Sequence, residues 1–187
     1  MALTKCGSSS CKVSVEEVRG RMGSYRVLSV VMIVVGIVSV SFGIPTVIYA
    51  APNPANPFTS GSGIFTGVSS VLSGIFGMLL MKEVLSEKPS KARCLVVAVR
   101  MFLQVQMTVG GLHLGYSIWS CVVCFSGDGG TTCGGEHRSA LSLLGVYSSI
   151  VGLAIFVMGI LAHVFAWKIF NAAWSLGKRS EVEMVSA

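Results

Sequence analysis

Three cysteines and a histidine in the second half of the chain have the spacing of a metal site. Cys121, Cys124, Cys133 and His137 follow the pattern C-x2-C-x8-C-x3-H. In a soluble protein, a Cys3His set of this kind would bind Zn²⁺ in a tetrahedral site. On the oxidising side of a membrane, the same cysteines would tend to form a disulfide. The location of this segment relative to a membrane therefore decides which chemistry it supports.

The composition is that of an integral membrane protein. Of the 187 residues, 52% are hydrophobic and only 12% are charged, whereas soluble domains carry about 25% charged residues. No Asp, Glu, Lys or Arg occurs between Arg26 and Lys82, a stretch too long for one buried helix. The net charge of +6 lies beside the apolar runs. We therefore expect the chain to lie in a lipid bilayer. The sequence has no basic stretch interleaved with aromatic residues, so we expect no nucleic-acid partner.

Four apolar runs predict an all-α fold, an integral membrane four-helix bundle. The predicted spans cover residues 27–51, 63–81, 95–124 and 140–167. Residues 1–26 and 168–187 are then amino- and carboxy-terminal tails. The length of the first run and of the segment before it favours a retained helix over a cleaved signal peptide.

Basic residues predict the orientation of these spans. One set of thirteen lies in the two tails and around the loop between spans two and three: Lys5, Lys12, Arg19, Arg21, Arg26, Lys82, Lys88, Lys91, Arg93, Arg100, Lys168, Lys178 and Arg179. The loops between spans one and two and between spans three and four together contain one basic residue, Arg138. The positive-inside rule therefore predicts that both termini are cytoplasmic. We expect residence in the plasma membrane rather than in an internal membrane.

This orientation places the cysteine-rich segment outside the cytosol. There a structural disulfide is favoured over a zinc site or free thiols. Cys124 with Cys133 would close a short glycine-rich loop, and Cys121 with Cys133 is the alternative pair. Either choice leaves one external cysteine unpaired.

The remaining cysteines lie on the predicted cytoplasmic side and are candidates for palmitoylation. Cys6 and Cys11 are in the amino-terminal tail, and Cys94 is at the membrane edge of span three. Because acyl transfer needs a thiol close to the bilayer, Cys94 is the best placed of the three.

Small residues recur at helical spacing in the spans. They are Ser69, Ser73 and Gly77 in span two, Gly111 and Gly115 in span three, and Gly145, Gly152 and Gly159 in span four. Because lipid supplies no hydrophobic drive between helices, small residues mark places where backbones come close. The stripes predict packing within the bundle, and a surplus stripe would serve a second copy or a receptor partner.

Span three also carries a polar face. Gln106, His113 and Ser117 share one side of the helix at spacings of seven and four. Polar groups in a span face the protein interior or a water-filled cavity. The face is either a pore lining with a titratable histidine or a buried hydrogen-bond set that fixes packing. The second interpretation is favoured because no acidic residue lies within a span.

Part of the chain resembles a known family. The segment "IFTGVSSVLSGIFGMLL", the charged turn after it and "KARCLV" are similar to the membrane-spanning four-domain subfamily A family, to which the B-lymphocyte tetraspan antigen belongs. The matching positions are Phe65, Gly67, Ser73, Gly74, Lys82, Lys88, Pro89, Cys94, Leu95 and Val96. The resemblance implies four helices, cytoplasmic termini and a disulfide in the second external loop. It also implies a non-enzymatic protein, often dimeric, that associates with receptors or modulates ion flux.

These patterns lead to one functional expectation and two alternatives. No hydrolase motif, phosphate loop or pair of intramembrane carboxylates is present, so we expect neither an enzyme nor a cofactor. The leading expectation is a signalling modulator or adaptor that associates with itself or with receptors. The alternatives are a channel or transporter subunit using the polar face of span three, and an adhesion or membrane-organising tetraspan protein. The last is disfavoured by its short external loops.

Overall fold

The computed structural model consists of four long helices. They are α1 (Ser8–Ala50), α2 (Ser62–Leu85), α3 (Pro89–Phe125) and α4 (Arg138–Val185). The structure describes residues 8–50, 61–85, 89–125 and 138–185, with side chains over 22–49, 61–83, 94–125 and 139–167. The predicted all-α fold, a bundle of four helices, is confirmed.

Each helix contains a segment long and apolar enough to cross a membrane. These segments are Met22–Tyr49, Ser62–Glu83, Cys94–Phe125 and Ser139–Trp167. The shortest has 22 residues, which at 1.5 Å per residue gives about 33 Å, enough for a hydrocarbon core of about 30 Å. The chain is therefore a multi-pass membrane protein.

Two of the helices extend well beyond the membrane segments. α1 begins at Ser8 and α4 ends at Val185, inside the stretches assigned to the tails. Neither extension contains a proline, so nothing in them interrupts the backbone hydrogen-bond ladder where the helix leaves the apolar run.

The helices form an antiparallel ring. α1 packs against α2, α2 against α3, α3 against α4, and α4 back against α1, while α2 and α4 meet only weakly across the diagonal. We call the end of the bundle near Met22 and Trp167 the proximal end, and the end near Ser62 and Phe125 the distal end.

α1 and α2 touch backbone to backbone. A Cβ atom on Gly36 would lie 2.7 Å from the carbonyl oxygen of Gly67, and one on Gly67 would lie 2.5 Å from the carbonyl oxygen of Gly36. Real Cβ atoms do not come so close, so only glycine fits at either position. Gly43 and Gly74, seven residues further along each helix, are similarly close to the opposite backbone, as expected for membrane helices that pack through small residues.

Two serines fix the register of this glycine contact. The hydroxyl of Ser39 donates to the carbonyl oxygen of Gly63 over 2.8 Å, and that of Ser70 donates to the carbonyl oxygen of Met32 over 2.9 Å. Both serines are buried. Interhelical hydrogen bonds of this kind contribute about 0.6 to 2 kcal/mol each in membranes, and they hold α1 and α2 against sliding.

The interior changes character along the bundle axis. In the proximal half it is mainly apolar and includes Tyr25, Met32, Leu80, Val99, Leu103, Ile155, Ala162 and Ala166; the buried hydroxyl of Ser29 donates within its own helix there. In the distal half the buried side chains are largely polar. Stacked rings tie neighbouring helices in both halves, Phe76 with Phe102 at 4.9 Å and Phe42 with Tyr147 at 5.5 Å between centroids.

The start of α2 depends on a glycine in a left-handed conformation. Gly61 has φ of 63°, a region that costs other residues strain. Its carbonyl oxygen accepts from the backbone N–H groups of Ile64 at 2.9 Å and Phe65 at 3.2 Å. This cap begins the helix at Ser62 and so delivers that side chain to the distal end of the bundle.

We predict that Gly67→Ala destabilises the bundle. The added methyl would overlap the carbonyl oxygen of Gly36, and overpacking of this kind costs about 1 to 3 kcal/mol. The measurement is the free energy of unfolding in mixed micelles, followed by circular dichroism.

The matched control is Gly23→Ala. A Cβ atom there meets nothing within 4 Å, so the better helix propensity of alanine should leave stability unchanged or raise it by up to about 1 kcal/mol. Equal effects of the two substitutions would contradict the close contact.

Candidate functional site

The imidazole of His113 joins three helices near the distal end. The ring lies on α3 and is only 3% exposed. Its Nδ1 is 2.9 Å from the hydroxyl oxygen of Ser62 on α2, and its Nε2 is 3.1 Å from that of Ser148 on α4. Both ring nitrogens are therefore hydrogen-bonded, each to a different helix.

A second serine sets the direction of these hydrogen bonds. Ser117, one turn beyond His113, donates its hydroxyl proton to the oxygen of Ser148 over 3.1 Å. Ser148 is then free to donate its own proton to Nε2, and a neutral ring donates from Nδ1 to Ser62. The chain Ser117 to Ser148 to His113 to Ser62 thus satisfies a neutral imidazole completely.

Glycines on either side make room for the ring. A Cβ atom on Gly63 of α2 would lie 3.2 Å from Cε1 of His113, and one on Gly152 of α4 would lie 3.0 Å from Cδ2. The ring therefore fills the space between α2 and α4, which hardly touch each other directly. Gly152, predicted as a packing residue, lies against this imidazole.

Beside the ring lies a cavity of about 30 Å³ with both polar and apolar lining. All four helices contribute to it, and its polar groups come from Thr46, Ser62, His113, Ser117, Ser120 and Ser148. One water needs about 10 to 15 Å³ of such space together with several polar partners. The cavity is therefore suited to hold about two water molecules or a solute of that size.

Gln106 is the most proximal of the buried polar residues on α3. This side chain is fully buried two turns proximal to His113, and its Nε2 donates to the carbonyl oxygen of Ile155 over 3.4 Å. Its Oε1 has no hydrogen-bond partner among the described residues. Beyond it, Leu103 and Val99 are completely buried in the apolar proximal core.

The polar face predicted on α3 points inward as a unit. Gln106, His113 and Ser117 are all buried, although only the last two share a network. Sequence reasoning missed the partners Ser62 and Ser148. Ser148 lies three residues after Gly145 and four before Gly152, so the helical period of α4 places it on their face, whereas Ser62 carries no comparable signal.

The predicted small residues of α2 are buried but serve different contacts. The hydroxyls of Ser69 and Ser73 donate to carbonyl oxygens of their own helix, at 2.9 and 2.8 Å. Gly77 instead faces α1, where a Cβ atom would lie 2.9 Å from the hydroxyl oxygen of Ser29 and 3.2 Å from that of Tyr25. Gly77 is thus a further point of close approach between α1 and α2.

The glycines of α3 and α4 divide into packed and open positions. Cβ atoms on Gly145, Gly159 and Gly111 would lie 3.4 Å from the sulfur of Cys121, 3.2 Å from Met107 and 3.6 Å from Phe156, respectively. A Cβ atom on Gly115 would meet nothing. The motif of Gly111 and Gly115 therefore has one member against α4 and one on the outer surface.

The cysteines differ in state. Cys121, a predicted disulfide candidate, is a free thiol whose sulfur lies 3.7 Å from the hydroxyl oxygen of Ser149. Its contact is with α4 and the thiol is free, so the alternative pairing of Cys121 with Cys133 is not formed. Cys124 is buried and is not among the free thiols, while Cys94 is free and exposed. Four candidate side chains lie outside the described ones: Cys6, Cys11, Cys133 and His137.

Comparison with known proteins adds no relative. No family model matches the chain. No curated protein and no solved structure gives a match either. The geometry of the described residues, together with the sequence patterns, is therefore the basis of the proposals that follow.

We predict that Ser148→Ala destabilises the distal half of the bundle. The substitution leaves Nε2 of His113 buried without its partner, and an unsatisfied buried polar atom costs about 1 to 3 kcal/mol. The measurement is the thermal unfolding midpoint of the purified protein in detergent.

The control is Ser142→Ala, since that hydroxyl bonds only the nearby carbonyl oxygen of Ser139. We expect a change within about 0.5 kcal/mol for this variant. Equal stability of the two variants would mean that Ser148 does not support the imidazole.

Proposed function

We propose that this protein is a non-enzymatic multi-pass membrane protein that associates with itself or with receptors, as a signalling modulator or adaptor. The proposal is supported by how the intramembrane polar groups are used. Ser39, Ser70 and His113 hold helices to one another, so they serve the packing of the bundle. The outer surface and the tails remain as the places where the protein can meet other molecules.

The observation that carries the proposal is the apolar filling of the proximal half. Leu80, Val99, Leu103 and Ile155 come from three helices, and each has no exposed surface. A hydrated ion crossing the bundle would have to displace these side chains. Conduction through a single bundle in this arrangement is therefore disfavoured relative to association.

We also propose cytoplasmic termini and residence in the plasma membrane. The distribution of Lys and Arg supports the orientation, with thirteen on the side of the termini and only Arg138 on the other. The residues that resemble the membrane-spanning four-domain subfamily A family support the same arrangement, and we propose that the chain is related to it.

A disulfide between Cys124 and Cys133 is part of this proposal. Two observations support it: Cys121 has a free thiol, and Cys124 does not. The segment between Cys124 and Cys133 contains Gly127, Gly129 and Gly130, which turn easily. A bridge there would join the distal end of α3 to the segment leading into α4.

Thiol mapping tests this pairing. Under non-reducing conditions, a maleimide should label Cys121 of the denatured protein but not Cys124 or Cys133. A cleaved sample should then show a peptide that links the latter two. Labelling of Cys124 and Cys133 together with stoichiometric zinc would contradict the disulfide and support the metal site.

A second candidate function is an ion channel or transporter subunit. The distal cavity favours it, because several hydroxyl side chains and the imidazole of His113 line part of the cavity. An ion that reached this cavity would still face the apolar layer beyond Gln106. This function therefore requires a different helix arrangement or pores formed between several copies.

Proximity labelling decides between association and conduction. A labelling enzyme fused to either tail should repeatedly mark one receptor, or untagged copies of this chain, in native membranes. The control is the same enzyme on an unrelated four-pass protein at equal abundance. If the neighbours match that control while reconstituted protein passes a current altered by His113→Asn, the association proposal is wrong and the channel is favoured.

A further inference from the structure

Gln104 is a glutamine on the outer surface of a membrane helix. The chain has two glutamines, and they are placed oppositely: Gln106 is fully buried, whereas Gln104 is exposed. The backbone carbonyl oxygen of Gln104 accepts from the hydroxyl of Thr108 over 3.1 Å. Its side-chain carboxamide has no hydrogen-bond partner within the part of the chain that the structure describes.

The position of Gln104 along α3 makes this exposure costly. The segment Cys94–Phe125 has 32 residues and is about 48 Å long, so a centred hydrocarbon core of about 30 Å begins about 9 Å from Cys94. Gln104 lies about 15 Å from Cys94 and is therefore inside the hydrocarbon. Arg100 is one turn nearer the edge and has a long side chain that reaches the headgroups, but the shorter carboxamide does not.

Gln104 belongs to a regular stripe along the outside of α3. We define the α3 seam as Met101, Gln104, Thr108, Gly111, Gly115 and Ile118, which follow one another at spacings of three and four. Such heptad spacing is that of helices packed side by side. Met101 and Ile118 are 61% and 51% exposed, and Gly115 faces open space. Every seam position except the partly buried Gly111 is exposed.

The outer surfaces of the other helices lack this character. On α1 and α4 the exposed large side chains are almost all aliphatic or aromatic, such as Val34, Ile37 and Ile150. The exposed hydroxyl of Ser41 is satisfied by the carbonyl oxygen of Ile37. Among the described side chains, α3 is therefore the helix that carries a carboxamide on its outer surface.

We propose that a second copy of this chain packs against the α3 seam, parallel to the first and related to it by a two-fold axis along the membrane normal. The carboxamides of the two Gln104 residues pair across this axis. Gly115, further along the seam, lets the two backbones approach closely. This inference rests on the proposed function and specifies the surface by which the protein associates with itself.

Symmetry is the reason for choosing a second copy as the partner. Two copies inserted with the same orientation bring Gln104 to the same depth in the bilayer. A two-fold interface brings identical patches together, and a carboxamide carries both donor and acceptor. Each Gln104 can therefore donate an N–H group to the carbonyl oxygen of the other. A different partner would have to supply a matching polar group at that depth.

Two substitutions on the seam and one matched control test the dimer. Gln104→Leu removes the carboxamide, and Gly115→Leu blocks close approach at a position where an added Cβ atom meets nothing of its own bundle within 4 Å. The control is Gly23→Leu, because Gly23 on α1 is also exposed with nothing within 4 Å of its Cβ. The measurement is energy transfer between labelled copies in liposomes as the protein is diluted into lipid.

We expect the wild type and Gly23→Leu to dimerise alike. Gln104→Leu should weaken dimerisation about tenfold, the size expected for the loss of an interhelical polar pair, and Gly115→Leu should weaken it by holding the two backbones apart. Circular dichroism and the thermal unfolding midpoint should show that all variants keep the fold. Wild type that stays monomeric at every dilution, or a dimer that neither seam substitution weakens, would overturn the proposal.

Cysteine crosslinking locates the interface independently. In a background with Cys6, Cys11, Cys94 and Cys121 each changed to Ser, which keeps only the proposed Cys124–Cys133 pair, a single Met101→Cys or Ile118→Cys should give oxidised dimers in liposomes, whereas the α1 control Val34→Cys should not. Dimers formed through the α1 cysteine alone would refute the α3 seam. If the seam cysteines instead crosslink to a different protein in native membranes, the second-copy proposal is wrong, while the proposed receptor association stands.

Discussion

The contact between Gly36 and Gly67 is the constraint on which the rest of the bundle depends. Because neither residue has a side chain, the backbones of α1 and α2 lie in direct contact. The serine hydroxyls of each helix can then reach carbonyl oxygens of the other. Ser39 and Ser70 then fix the register of the pair. With that register set, the cap at Gly61 delivers Ser62 to the ring of His113. The hydrogen bonds of His113 at the distal end therefore depend on a contact between α1 and α2, which lies between one and two turns of α2 from Ser62.

The two halves of the interior have different physical roles. The proximal half is held by van der Waals packing among apolar side chains such as Leu103 and Ile155. The distal half is held by directional bonds between His113 and the serines of α2 and α4. Directional bonds specify one arrangement of α2, α3 and α4, because displacing any one of these helices leaves a buried polar group unpaired. This division explains why a polar stripe can lie within a bundle without forming a continuous polar pathway.

Much of the fold could be predicted from the sequence because a long run without charged residues is typical of helices that cross a membrane. The stretch between Arg26 and Lys82 demands two membrane helices, and both are present. Helical period also placed Gln106, His113 and Ser117 on one face of α3. It could not identify Ser62 or Ser148, because a period specifies a face and not the neighbour that meets it. Nor could it separate Gly111 from Gly115, which share a motif but not an environment.

The imidazole between Gly63 and Gly152 has a consequence for how this sequence can change over evolutionary time. The ring acts as a spacer whose thickness sets the distance between α2 and α4 at the distal end. A smaller residue at position 113 would leave a gap that larger residues at 63 and 152 would have to fill. A larger side chain at either glycine would require the ring to shift or to be replaced by a smaller residue. The three positions should therefore diverge together, so that related sequences keep all three or replace them as a set.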